Sequence, residues 1–169
     1  MSATLRPRAC VAGGSAYTPP PTHAHVTLDL AGNEGVGPSP AFIASTLDGW
    51  APQARLYPSP ASLAAKLAGR IGVAPAQVVL TPGADDALDR ICRIVLEPGR
   101  SIVLPSPTFE MIERYARIAG ADVRELPYTE SLTARDVLNS VDDTTGLVAL
   151  VTPNNPTGVA LPAAILLEV

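Results

Sequence analysis

Three short stretches carry residues whose types and spacing could do chemistry. The first is Pro153-Asn-Asn-Pro-Thr-Gly158. Asn154 and Asn155 each offer an amide donor and a carbonyl acceptor, and the flanking prolines leave the backbone little freedom to lose on binding. Taken alone, Asn-Asn-Pro reads first as a tight surface turn. The second is Thr81-Pro-Gly-Ala-Asp-Asp86, where a strand-like run passes through one glycine into a helical pattern. The amides of Ala84 and Asp85 would then point out of a helix N-terminus. Free amides at the positive end of a helix dipole suit an anion, best a phosphate. Asp85 and Asp86 read equally well as caps that complement the same dipole. The third is Pro105-Ser-Pro-Thr-Phe109, which sets an aromatic ring at a strand end in a chain with only 4% aromatic residues. Such a ring can stack on a flat heteroaromatic ligand; core packing is the plain alternative.

The elements that must position these stretches follow from periodicity. Leu147 to Val151 is a short apolar run of the kind that forms a buried strand. Val78-Val-Leu80, Ile102-Val-Leu104 and Val123 to Leu126 read as further strands. Ala84, Ala87, Leu88, Ile91, Cys92 and Val95 recur with helical spacing, as do Phe109, Ile112, Ala116 and Ala119, and a short helix is expected between Leu132 and Val141. Pro98-Gly99 and Gly120 end the two longer helices. Strands alternating with helices at this spacing predict an α/β fold with a mostly parallel sheet and flanking helices. All three stretches then lie at carboxyl ends of parallel strands, where open α/β sheets bind ligands. A planar, phosphorylated cofactor with a ring hydroxyl would satisfy them together.

Upstream, Ser39 and Pro40 open a short helix to about Leu47, and Ser59 and Pro60 open another that ends at Gly72. Leu63, Leu67 and Ile71 should lay one apolar stripe of that helix on the core. Residues 1–27 read as a loosely held arm with a short extended piece beginning at Leu28, and 28–169 as one domain. The chain ends inside the apolar run Ala163 to Val169, which leads us to expect the front half of a longer sequence.

Composition narrows the function. The 169 residues are 47% apolar and 17% charged, as in globular proteins. A net charge of −4, a single lysine (Lys66) and no basic stripe argue against nucleic acid. No apolar run reaches membrane-spanning length and no signal core opens the chain, so the expected compartment is the cytoplasm. Cys10 and Cys92 make no disulfide or metal framework, and His23 and His25 lack a third ligand. The dinucleotide glycine fingerprint, a Gly-Lys-Ser/Thr phosphate loop and a Gly-x-Ser-x-Gly nucleophile elbow are all missing.

Five motifs in order carry a resemblance: Asn33-Glu34 with Gly37-Pro-Ser-Pro40, Leu56-Tyr-Pro-Ser-Pro60, Pro82-Gly-Ala-Asp-Asp86, Pro107-Thr-Phe-Glu-Met111 and Pro153-Asn-Asn-Pro-Thr-Gly158. From about residue 28 onward the chain resembles the N-terminal half of the pyridoxal-phosphate-dependent class I/II aminotransferases, most closely histidinol-phosphate aminotransferases. The resemblance implies a fold type I large domain with pyridoxal 5'-phosphate as cofactor. It implies that Ala84 and Asp85 hold the phosphate, Phe109 stacks on the ring and Asn155 bonds the ring's phenolic oxygen. Tyr57 would reach the phosphate in a neighbouring subunit, implying a homodimer. Tyr17 and Glu34 would face an amino-acid or 2-oxo-acid substrate, Glu34 reading equally as a solvated carboxylate.

There are departures. Gly35-Val36 stands where the family usually has Asn-Pro, and Leu56 separates Arg55 from Tyr57. The family's Schiff-base lysine, the aspartate at the pyridine nitrogen and the arginine for the substrate carboxylate lie beyond residue 169. No catalytic residue is therefore assigned, and the chain as written is expected to be inactive alone. The implied reaction is transamination between histidinol phosphate and 2-oxoglutarate in histidine biosynthesis. Two alternatives stay open: a phosphorylated-ligand binding domain on a flavodoxin-like sheet, and another enzyme of the same cofactor, such as a phosphothreonine decarboxylase.

Overall fold

The structure is a computed structural model that describes residues 8–12 and 35–169. Tyr17, Glu34 and the extended piece at Leu28 lie outside the described residues. The chain divides into two compact units, Ala16–Leu80 and Met1–Ser15 with Thr81–Val169.

In the smaller unit, Ser39 caps helix α2 (Pro40–Trp50) as expected, its Oγ accepting the Phe42 amide at 3.2 Å. The helix runs one turn past Leu47 into a 3-10 turn, Ala51–Gln53, because Pro52 is tolerated at the start of a new helical turn. Helix α3 (Ala61–Ile71) ends at Gly72, whose φ of 78° is left-handed, but it begins one residue later than expected. Pro60 and not Ser59 takes the cap position, and no side chain caps it. The expected core stripe is largely uncovered among the described residues: Leu63 and Ile71 are exposed, Leu67 is half-buried and only Ala68 is buried. Two short helices bury too little surface to close a core of their own. Val78 to Leu80 is not a strand either. A strand needs a ladder partner for its amides and carbonyls, and none of the described residues supplies one.

The larger unit is built on a three-stranded parallel sheet of order β2-β1-β3, with β1 Ser101–Ser106, β2 Asp122–Pro127 and β3 Thr145–Val148. Helix α4 (Ala84–Val95) precedes β1, α5 (Glu110–Ala119) joins β1 to β2, α6 (Ala134–Leu138) joins β2 to β3, and α7 (Ala163–Glu168) follows. The parallel sheet with helices between its strands is the expected arrangement.

Strand alternation sorts the core into two layers. Ile102 and Leu104 face Cys92, Leu96, Ile112 and Ala116 of the α4/α5 side. Val103 faces Tyr128, Leu132, Val137 and Leu161 of the α6/α7 side. The sheet is therefore buried on both faces, which is why its strands read as continuous apolar runs. At the start of β3 the register slips by one residue, and Gly146 is the extra one. A Cβ there would lie 2.7 Å from the Val95 carbonyl, so only glycine lets β3 approach the end of α4. Helix α1 (Ala9–Ala12) packs on α5, with Cys10 Sγ donating to the Ile118 carbonyl at 3.7 Å.

Candidate functional site

The site is set by where each strand's chain goes next. After β1 the chain turns to α5 on one face of the sheet, whereas after β2 and β3 it turns to α6 and α7 on the other. Adjacent parallel strands whose connections leave to opposite faces open a crevice at their carboxyl ends. Two such crevices flank β1. Tyr128 follows β2: its amide extends the ladder to the Ser106 carbonyl at 2.8 Å, and its hydroxyl reaches past β1 to donate to the Val151 carbonyl beyond β3 at 2.6 Å. Burial pushes that phenol above its ordinary pKa, as befits a group that serves as a neutral donor. The second crevice position is the one between β1 and β3.

The two loops that bound this crevice carry Phe109 and Asn155. They are tied together below the surface by Asn154, which is only 3% exposed. Its Oδ1 accepts from Thr108 Oγ1 at 2.7 Å, and its Nδ2 donates to the Pro107 carbonyl at 2.9 Å and to Thr157 Oγ1 at 2.8 Å. Its backbone is engaged too, through Val159 O at 2.8 Å and Gly158 N at 2.7 Å. Asn155, next in the chain, is exposed, and no hydrogen bond holds its side chain among the described residues. Two identical neighbours thus divide the work: the inner amide is fully used and the outer one is free.

Phe109 is the residue before α5 and is half-buried. It packs against the α4/α5 cluster, so core packing and a remaining exposed surface for a ligand are both true of it. The α4 N-terminus lies at the same edge of the sheet. The carboxyl end of α4 meets the amino end of β3 at Gly146, and its 12 residues span about 18 Å at ~1.5 Å each. That matches a six-residue strand of about 20 Å. Gly83 has φ 86° and ψ 176°, no side chain caps the helix, and the space a Gly83 Cβ would take is open. Ala84 and Asp85 are exposed in the first turn. An uncapped N-terminus with open space ahead of it fits a phosphate.

Charge around this cradle is mostly negative. Arg90 Nε sits 2.7 Å from Asp86 Oδ2, yet out of line for a hydrogen bond, so that buried oxygen is held by charge alone. Arg90 is thereby committed to Asp86. Tyr115 on α5 has its phenol raised by burial first and then by Asp85, Asp89 and Asp86. Within this unit, backbone amides and the helix dipole are what α4 offers an anion. Taken together, a cradle for phosphate, a ring edge and a free amide fit a planar phosphorylated cofactor.

Tyr57 lies in the smaller unit and is fully exposed. Thr108, Thr157 and Tyr128 were not singled out from sequence. Their signal was present only as polar or aromatic residues within a few positions of strand ends. A separate cavity of about 380 Å³, lined by Leu126, Thr129, Ser131, Leu132, Asp136 and Asn139 among others, opens at the end of β2. Several of its polar groups are already paired: Asp136 takes the Thr133 amide and hydroxyl, and Thr129 bonds Ser131. Among the described residues no cluster of His, Cys, Asp or Glu could hold a metal, and no helix is long and apolar enough to cross a membrane.

The family model described as "Aminotransferase class I and II" matches residues 15–169. The chain is 40% identical over 140 residues to histidinol-phosphate aminotransferase 2 of Caulobacter vibrioides, covering 80% of this chain and 37% of that protein. It is 35% identical over 143 residues to the histidinol-phosphate aminotransferase of Methanosarcina mazei, covering 81% and 39%. Among solved structures, the histidinol-phosphate aminotransferase of Sinorhizobium meliloti in complex with pyridoxal-5'-phosphate superposes with a TM-score of 0.68 at 26% identity, covering 78% of this chain and 38% of that one. The aspartate aminotransferase of Thermotoga maritima gives 0.69 at 26% identity, covering 78% and 39%. The chain thus spans less than half the length of these relatives.

Proposed function

The chain belongs to the class I and II aminotransferases, with the fold type I architecture of its structural neighbours, and from that premise we propose that it forms the cofactor-holding part of a transaminase. Ala84 and Asp85 hold the phosphate of pyridoxal 5'-phosphate through their amides, Phe109 covers one face of its ring and Asn155 donates to its phenolic oxygen. When bound, that cofactor supplies an electron sink and a carbonyl carbon through which amino groups pass between acids. Asn155 is suited to its part because its amide has no competing partner among the described residues, and a donor at a ring oxygen stabilises negative charge there. Phe109 excludes water from one ring face because its own edge is anchored in the core.

The observation that carries this reading is the Asn154 tie, which brings the Phe109 and Asn155 loops to one crevice. The substrate pair proposed is histidinol phosphate and 2-oxoglutarate. It is supported by the names of the relatives at 35–40% identity. Tyr17 and Glu34 would contact that substrate, and Tyr57 would reach a second copy's phosphate in a homodimer. The proposed compartment is the cytoplasm, on the sequence grounds given above.

A product in which this chain is completed by the part its relatives have beyond residue 169 should be assayed with pyridoxal phosphate and glutamate against imidazole-acetol phosphate and oxaloacetate. Preference for imidazole-acetol phosphate supports the reading. Preference for oxaloacetate would keep the family and replace the substrate, and failure to bind the cofactor would overturn the reading itself.

A further inference from the structure

Thr108 immediately precedes Phe109, and Asn154 immediately precedes Asn155. The hydrogen bond between Thr108 Oγ1 and Asn154 Oδ1, 2.7 Å, therefore lies one residue from each group that would meet the ring. Nδ2 of the same amide reaches the Pro107 carbonyl, so the loop after β1 is gripped at two consecutive residues, Pro107 and Thr108. Both hydrogens of Nδ2 are used, the second on Thr157, which fixes the amide's orientation. Asn154 is buried while its partners are half-buried or exposed, so slipping any one bond leaves a polar atom of the Asn154 side chain itself unpaired in a poorly solvated place, and the amide is held stiffly.

Resting on the cofactor reading above, we propose that Asn154 is a positioning residue for ring recognition. Through Thr108 and Pro107 it sets the spacing between the Phe109 ring and the free Asn155 amide, without touching the ligand. The phosphate cradle at Ala84 and Asp85 lies outside this network: no hydrogen bond of Asn154 or Thr108 reaches α4. The two parts of the ligand should accordingly respond differently when the tie is cut. Small displacements at a preorganised site cost binding steeply, so the ring portion should be sensitive.

The test uses the full chain with Thr108→Val, which keeps shape and removes the hydroxyl, and Thr108→Ser, which restores it. The probes are pyridoxamine 5'-phosphate, followed by its own fluorescence, and inorganic phosphate, followed by calorimetry. Pyridoxamine phosphate is an amine and cannot condense with Lys66 or the chain's amino terminus. T108V should bind it on the order of ten-fold more weakly, bind inorganic phosphate as the wild type does, and T108S should recover wild-type affinity. Should T108V not fold, Thr108→Ala, which leaves room for a water in place of the hydroxyl, carries the same comparison. Equal affinity of wild type and variant for pyridoxamine phosphate would overturn the inference alone. Parallel loss of both ligands would overturn it too, by showing a general loss of structure. A wild-type chain that binds neither ligand would overturn the cofactor reading, and the inference with it.

Discussion

The two ends of the sheet are tied in opposite ways. At the amino end the tie is charged and exposed. Arg124 Nη2 lies 2.6 Å from Asp142 Oδ2 and donates to Thr144 Oγ1 at 2.9 Å, while Asp142 Oδ1 takes the Thr144 amide and hydroxyl at 2.9 and 2.8 Å. At the carboxyl end the tie is neutral and buried, made by Asn154 and Tyr128. The charged net spends its polar groups mostly on one another at the surface. The neutral net does its holding underneath and so leaves Asn155 and part of Phe109 exposed. On the proposed reading, the polar groups that hold the fold and the polar groups that would meet the ligand are different residues.

Substitutions can break this contrast, and their effects should fall in order. Asn154→Ala orphans the Thr108 hydroxyl and the Pro107 carbonyl and opens a buried gap. It should lower the free energy of unfolding by about 2–4 kcal/mol, read as a shift of the urea midpoint. Tyr128→Phe removes one buried donor and should cost about 1 kcal/mol; an unchanged midpoint would mean the hydroxyl is not part of the tie.

At the amino end the signature is in pH. The hydrogen bond from Arg124, with those from Thr144, holds the Asp142 carboxyl well below the ordinary aspartate range. A depressed carboxyl contributes stability above its unfolded value of about 3.9 and loses it as pH falls towards the folded value. The acid limb of the stability profile below about pH 4 should therefore be shallower in Asp142→Asn than in the wild type. Overlapping limbs would show that the charged tie is screened to nothing. Smallest of all, Asn155→Ala should leave stability within about 0.5 kcal/mol of wild type, against the large loss one residue earlier. A cost comparable to that of Asn154 would erase the division of work between the two amides.

Much of this was legible in the sequence. The helices α4 and α5 and the strands β1 and β2 fall where apolar periodicity puts them, within a residue or two, and α6 is shorter than expected by two residues at its start and three at its end. Phe109 and Asn155 were legible as loop positions beyond strand ends, whereas Gly83, expected to follow a strand, follows a run that forms none among the described residues and is legible only as the start of α4. The division between Asn154 and Asn155 was not, since two adjacent asparagines look alike until the loop after β1 supplies partners for one of them. The run Val78 to Leu80 has strand composition but no ladder partner among the described residues, and composition carries no information about partners. The stripe of α3 failed as a core expectation for the same reason: Leu63 and Ile71 repeat correctly but have little to pack against among the described residues.

An amide-resolved titration of the chain with pyridoxamine 5'-phosphate puts the convergence of these groups to the proof. The account expects the amides of Ala84, Asp85, Phe109 and Asn155 to shift together along one saturation curve, with residues of the 380 Å³ cavity at the end of β2 unmoved. Shifts confined to that cavity, or Ala84 and Asn155 saturating at separate concentrations, would contradict it.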